Sequence, residues 1–168
     1  MKEASTPTKS VEIYLPSAIV RGSLVTRHDR LSNYLNLISE DNVSSLVEAS
    51  VRDLNGNPLP VSSSDFTIYT SEILLAADLS PMVGFRHSPL DHQRLQKEPT
   101  AVLLGIGPFW VRGTAHLMPG AELPRLALLK QNFIPVTDAT VLNQPESEPC
   151  TILVNRSKIG WLVGGQPK

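Results

Sequence analysis

Arginine occurs twice in the same local setting, as Val20-Arg21-Gly22 and again as Val111-Arg112-Gly113. Each tripeptide closes a longer similar stretch, VEIYLPSAIVRG (11–22) and VLLGIGPFWVRG (102–113), offset by 91 residues (102 − 11) without a gap. A guanidinium is planar and presents a fork of donors, so beside a bend glycine it can clamp a phosphate or carboxylate, or pair with an acid of its own chain. Glu48 and Asp138 match across the two stretches at an offset of 90 (138 − 48). Internal pairing of Arg21 with Glu48 and of Arg112 with Asp138 is the preferred expectation, because a repeated unit repeats its own ion pairs.

Other residue types capable of chemistry carry less pattern. His87 and His92 are spaced H-x4-H around Asp91 in a proline-rich, charged segment. Imidazole and carboxylate suit a metal, but a loop fixes neither their spacing nor direction, and no Cys-x-x-Cys supports them. A metal-dependent enzyme therefore rests on those three residues alone, and the expectation is no metal, no cofactor and no catalytic residue. No Gly-x-Ser-x-Gly is present, and Gly105-Ile106-Gly107 lacks the Lys-Ser/Thr that a phosphate loop needs. Trp110 and Trp161 fall on strand positions held by Ile19 and Leu75 in the first stretch, so core packing is expected of them.

The elements positioning these residues are short and extended. Val11, Ile13 and Leu15 alternate with Glu12 and Tyr14, and fourteen prolines and ten glycines divide the chain into such pieces. Single helical turns are expected at Leu31, Tyr34 and Leu35, and at Leu123, Leu126 and Leu129. Asn55-Gly56 signals a turn, followed by a polar loop (57–65). The later blocks SSLVEASV and FIPVTDATV correspond at an offset of 90, and FTIYTSEILLAA and TILVNRSKIGWLV at 84, changing to 86. The implied division is a disordered tail over 1–10, a first unit over 11–77, a linker over 78–100 and a second unit over 101–164.

The composition narrows the classes, while a local basic patch stays open. The net charge of −1 in 168 residues gives no basic excess to mark a nucleic-acid binder. No apolar run reaches the ~20 residues of a membrane span. The lone Cys150 cannot form an internal disulfide, which suits a cytoplasmic protein.

The order strand, glycine-bearing strand, connection, strand, strand, strand resembles the small five-stranded barrel of the Sm-like family. VEIYL, Gly22-Ser23-Leu24 and Leu35-Asn36-Leu37 are similar to its first motif, and TILVNRSKIGWLV to its second. The resemblance implies an all-β fold with short helices, made of two tandem Sm-like or SH3-like barrels related by internal duplication. It also implies a non-enzymatic binding or assembly module that self-associates or takes a protein partner through its edge strands. The alternative is an RNA or single-stranded nucleic-acid binder using Arg21, Asn36, Arg112, Asn155 and Arg156.

Overall fold

The computed structural model describes residues 7–37, 42–80 and 97–165. Strand β1 runs Thr8–Tyr14, β2 Ile19–Val25, β3 Val43–Arg52, β4 Pro58–Tyr69 and β5 Leu75–Asp78, with helix α1 (Leu31–Leu37) between β2 and β3. The second half repeats this as β6 Glu98–Ile106, β7 Phe109–Leu117, β8 Phe133–Val141, β9 Cys150–Asn155 and β10 Ile159–Gly164. A 3₁₀ turn, Leu123–Leu128, takes the place of α1, and 3₁₀ turns at Thr70–Glu72 and Arg156–Lys158 join the last two strands of each half.

These ten strands form one antiparallel sheet in the order β10-β6-β7-β8-β9-β5-β1-β2-β3-β4. Both halves therefore use the same internal order, fifth strand, first, second, third, fourth, and they meet where β5 pairs with β9. The mostly β character matches expectation. Two closed barrels do not: the sheet is continuous from half to half and, among the described residues, ends in two edges with no further strand beside them, β10 and β4.

The halves agree residue by residue in register. Arg21 lies opposite Ser50 as Arg112 lies opposite Thr140, and Ser23 opposite Val47 as Thr114 opposite Thr137. A bulge interrupts both ladders at the same point. The bulged residues are Glu48 (φ 52°) and Asp138 (φ 49°), so these matching acids mark a left-handed backbone position. The matching glycines lie against them. A Cβ on Gly22 would approach the Val47 carbonyl oxygen to 3.1 Å, and one on Gly113 would sit 2.9 Å from Ala139 Cα and 2.7 Å from Val136 Cγ1. Close backbone approach at a bulge thus accounts for both repeated pairs of residues.

A Gly113→Ala variant must displace backbone, whereas Gly22→Ala asks its neighbours to yield by a few tenths of an ångström. The expected loss for Gly113→Ala is about 1–3 kcal/mol, in the range of other overpacked sites. Urea denaturation of the two variants checks this; equal midpoints would contradict the difference in contact.

Several boundaries differ from the sequence expectation. The strand β1 begins at Thr8, inside the expected tail, and β6 at Glu98, inside the expected linker. The supposed polar loop (57–65) is, from Pro58 on, the first part of β4, whose Pro58–Val61 and Ser63–Asp65 are exposed on the sheet edge. Phe133 faces Asn155 as Val43 faces Tyr69, which sets the last blocks at an offset of 86 (155 − 69) throughout, replacing the 84. His87, Asp91 and His92 lie outside the described residues.

The core is two interlocked clusters. One gathers Leu104, Ile106, Val111 and Val136 of the second half but also Tyr14, Leu75 and Ala77 of the first. The other gathers Val11, Val20, Leu46 and Ile68 of the first half but also Phe133 and Leu153 of the second. Each half completes the other's interior.

Candidate functional site

Strand β1 is buried on both faces, Val11 and Ile13 on one, Glu12 and Tyr14 on the other. Burying Glu12 demands partners, since a carboxylate out of water is costly unless paired and hydrogen-bonded. Arg21 Nε donates to its Oε2 at 3.0 Å, Arg52 reaches both oxygens at 3.2 Å, and the Tyr14 hydroxyl donates to Oε1 at 2.5 Å. Arg52 also lies 3.8 Å from Glu146. The expected partner of Arg21, Glu48, is replaced by Glu12, its neighbour across the β1–β2 ladder. In the second half Leu103 stands where Glu12 does (103 − 12 = 91), so the cluster has no counterpart there, and Arg112 is exposed.

The cluster floors a cleft of about 270 Å³ between the halves, bounded by Glu12, Tyr14, Arg21, Glu146, Glu148 and Cys150. Burial, the hydrogen bond to Glu12 and that residue's negative charge all raise the Tyr14 hydroxyl pKa. Burial, then the charges of Asp78 and Glu12, push the Cys150 thiol up to about 11. At neutral pH that thiol is protonated and a poor nucleophile. The cleft therefore holds a buried carboxylate paired with two arginines, Arg21 and Arg52, beside an inert thiol and the carboxylates of Glu146 and Glu148. Among the described residues no three His, Cys, Asp or Glu side chains converge as metal ligands.

Of the five residues proposed for nucleic acid, three are brought together, at the end of β8. Asn36 Nδ2 donates to the Phe133 carbonyl at 3.1 Å and to the Ser32 carbonyl at 2.9 Å, while its Oδ1 accepts from the Phe133 N–H at 2.9 Å. Asn155, opposite Phe133 in the ladder, donates to the Ile73 carbonyl at 2.8 Å and accepts from the Ser157 N–H and hydroxyl. The Arg156 N–H donates to the Asn132 carbonyl at 2.8 Å. Both asparagine side chains are thus used on backbone of the opposite half, tying α1 and the β9 end across the junction. Arg21 and Arg112 stand apart on β2 and β7.

Sequence reasoning passed over Glu12, Tyr14 and Arg52. One signal was available: Glu12 and Tyr14 share a face at a spacing of two, pairing an acid with a hydroxyl able to bond it. Their burial needs the second half, which no local pattern announces.

The other unusual surface is the pair of sheet edges. The free β10 carries Trp161 and Val163, and the free β4 carries Leu59, Val61 and Tyr69, all exposed. Trp110 is exposed too, so neither tryptophan fills the core as expected. An edge strand presents unpaired N–H and C=O groups, and apolar side chains along it make it a template for another strand. No family model, curated protein or solved structure matches this chain.

Proposed function

We propose that this chain is a non-enzymatic assembly module, two Sm-like units fused in tandem, that works by adding strands at its two free edges, β4 and β10. The observation carrying this reading is the junction inside the chain. There, β5 of one unit and β9 of the other pair edge to edge and share their cores. The ends of the sheet offer the same two kinds of edge, with apolar side chains exposed along both. Backbone pairing supplies affinity in such contacts, and the side chains flanking it supply selectivity.

Light scattering over a range of concentrations, before and after nuclease treatment, tests the proposal. The expected result is a nuclease-resistant species heavier than one 18.4 kDa chain. A lysine in place of the exposed Thr67 on the β4 edge should return the mass to a single chain, since a charge on an edge strand opposes pairing. A single chain at every concentration would sink the proposal. Nucleic acid that co-purifies and is stripped by salt would move RNA binding ahead of it.

A further inference from the structure

At the internal junction Leu75 lies opposite Val154, Ala76 opposite Leu153 and Ala77 opposite Ile152. The side chains sort by face. Leu75 and Ala77 leave their own half and join the second half's core. Leu153 does the reverse and joins the first half's core, where Ala76 remains at home.

The offset of 86 carries these places to the free edges. Trp161, Leu162 and Val163 on β10 are the counterparts of Leu75, Ala76 and Ala77 (161 − 75 = 86). Phe66, Thr67 and Ile68 on β4 are the counterparts of Ile152, Leu153 and Val154 (152 − 66 = 86). Leu162, matching the residue that stays at home, packs on its own half's core. Trp161 and Val163, matching the two that cross, are 44% and 58% exposed, where Leu75 and Ala77 are 0% and 2%. On β4, Ile68 is buried and Phe66 packs at home, while Thr67, matching the crossing Leu153, is exposed. Exposure falls on the positions whose counterparts reach into a neighbouring half.

Resting on the edge-pairing reading, we propose that the partner is a second copy of this chain docked head to tail, β10 of one antiparallel to β4 of the next. Trp161 lies opposite Ile68 of the second copy, Leu162 opposite Thr67 and Val163 opposite Phe66. The Gly160 carbonyl accepts from the next copy's Tyr69 N–H, as the Leu74 carbonyl accepts from Asn155 at 2.9 Å within the chain. Trp161 and Val163 enter the core that holds Ile68. Because each added copy keeps one edge of each kind free, the contact is heterologous and propagates until a ring closes or a fibre grows.

Cysteines at Leu162 and Thr67, in a chain carrying Cys150→Ser, test the register. Opposed residues in an antiparallel pair have Cα atoms about 5.5 Å apart, within disulfide reach. Mild oxidation is expected to give a reducible ladder of two, three and more chains, and a mixture of the two single-cysteine variants only dimers. Trp161→Asp should abolish the heavier species with the far-ultraviolet circular dichroism unchanged. Cross-linking of Thr67→Cys to itself, or no ladder from the double-cysteine chain when the wild-type protein is heavier than one chain, overturns head-to-tail pairing and leaves edge assembly standing. A single-chain mass together with no ladder overturns both.

Discussion

Glu12→Ala is expected to lower stability by about 3 kcal/mol, at the lower end of the range for removing one partner of a buried ion pair. Glu12 is 3% exposed and bonded to Arg21, Arg52 and Tyr14. Without it the Tyr14 hydroxyl, on a residue 1% exposed, loses its acceptor, and the half-buried Arg52 keeps only the longer, 3.8 Å contact with the exposed Glu146. Arg21 has a side chain 50% exposed and turns to solvent, which keeps the loss from the top of the range. For a chain of this size each kcal/mol moves the melting temperature by about 2–4 °C, so a fall of roughly 6–12 °C is expected. Glu12→Gln keeps acceptor and shape while removing charge, and should lose about half as much. Thermal melts at low and high salt check the argument. The loss should persist at high salt, since a buried cluster is little screened, and an unshifted melt for Glu12→Ala would show that the cluster contributes nothing net.

How much of this was legible in the sequence follows from which forces are local. The strand through Val11 and Ile13, the Asn55-Gly56 turn and the helical spacing of Leu31 and Leu35 depend on near neighbours and appear in the structure, although Leu15 falls just past β1 and Glu12 and Tyr14, alternating with the apolar residues, are buried as well. The repeated Arg-Gly and acidic positions were also visible, but their cause was misjudged. Gly22 and Glu48 are shared with Gly113 and Asp138 because a bulge needs a glycine facing a left-handed residue, not because an ion pair is repeated. Asn36 was singled out as a nucleic-acid contact through the Sm-like resemblance, whereas its side chain is bonded to the backbone of Phe133, 97 residues away, and no spacing rule reaches that far. The burial of Glu12 and the exposure of Trp161 share that origin: each is set by whether another half lies beside its strand.

The same interlocking leads to the second large effect. Leu75→Ala is expected to destabilise the whole chain by about 2–5 kcal/mol, the range for a buried leucine cut to alanine. Leu75 is 0% exposed and belongs by sequence to the first half, but its side chain fills the second half's core with Val154 opposite it. If each half owned a separate core, the cavity would weaken one domain and leave the other alone. With shared cores neither half can open without exposing the other's interior, so the two should unfold in one transition. The chain supplies its own reporter: both tryptophans, Trp110 and Trp161, lie in the second half, whereas far-ultraviolet circular dichroism averages over all ten strands. For wild type and Leu75→Ala alike, fluorescence and circular dichroism should trace the same denaturation curve, shifted together to lower denaturant in the variant. Two separated transitions, or a variant in which only one signal moves, would mean that the halves fold independently and that the β5–β9 junction is a docking contact between finished domains.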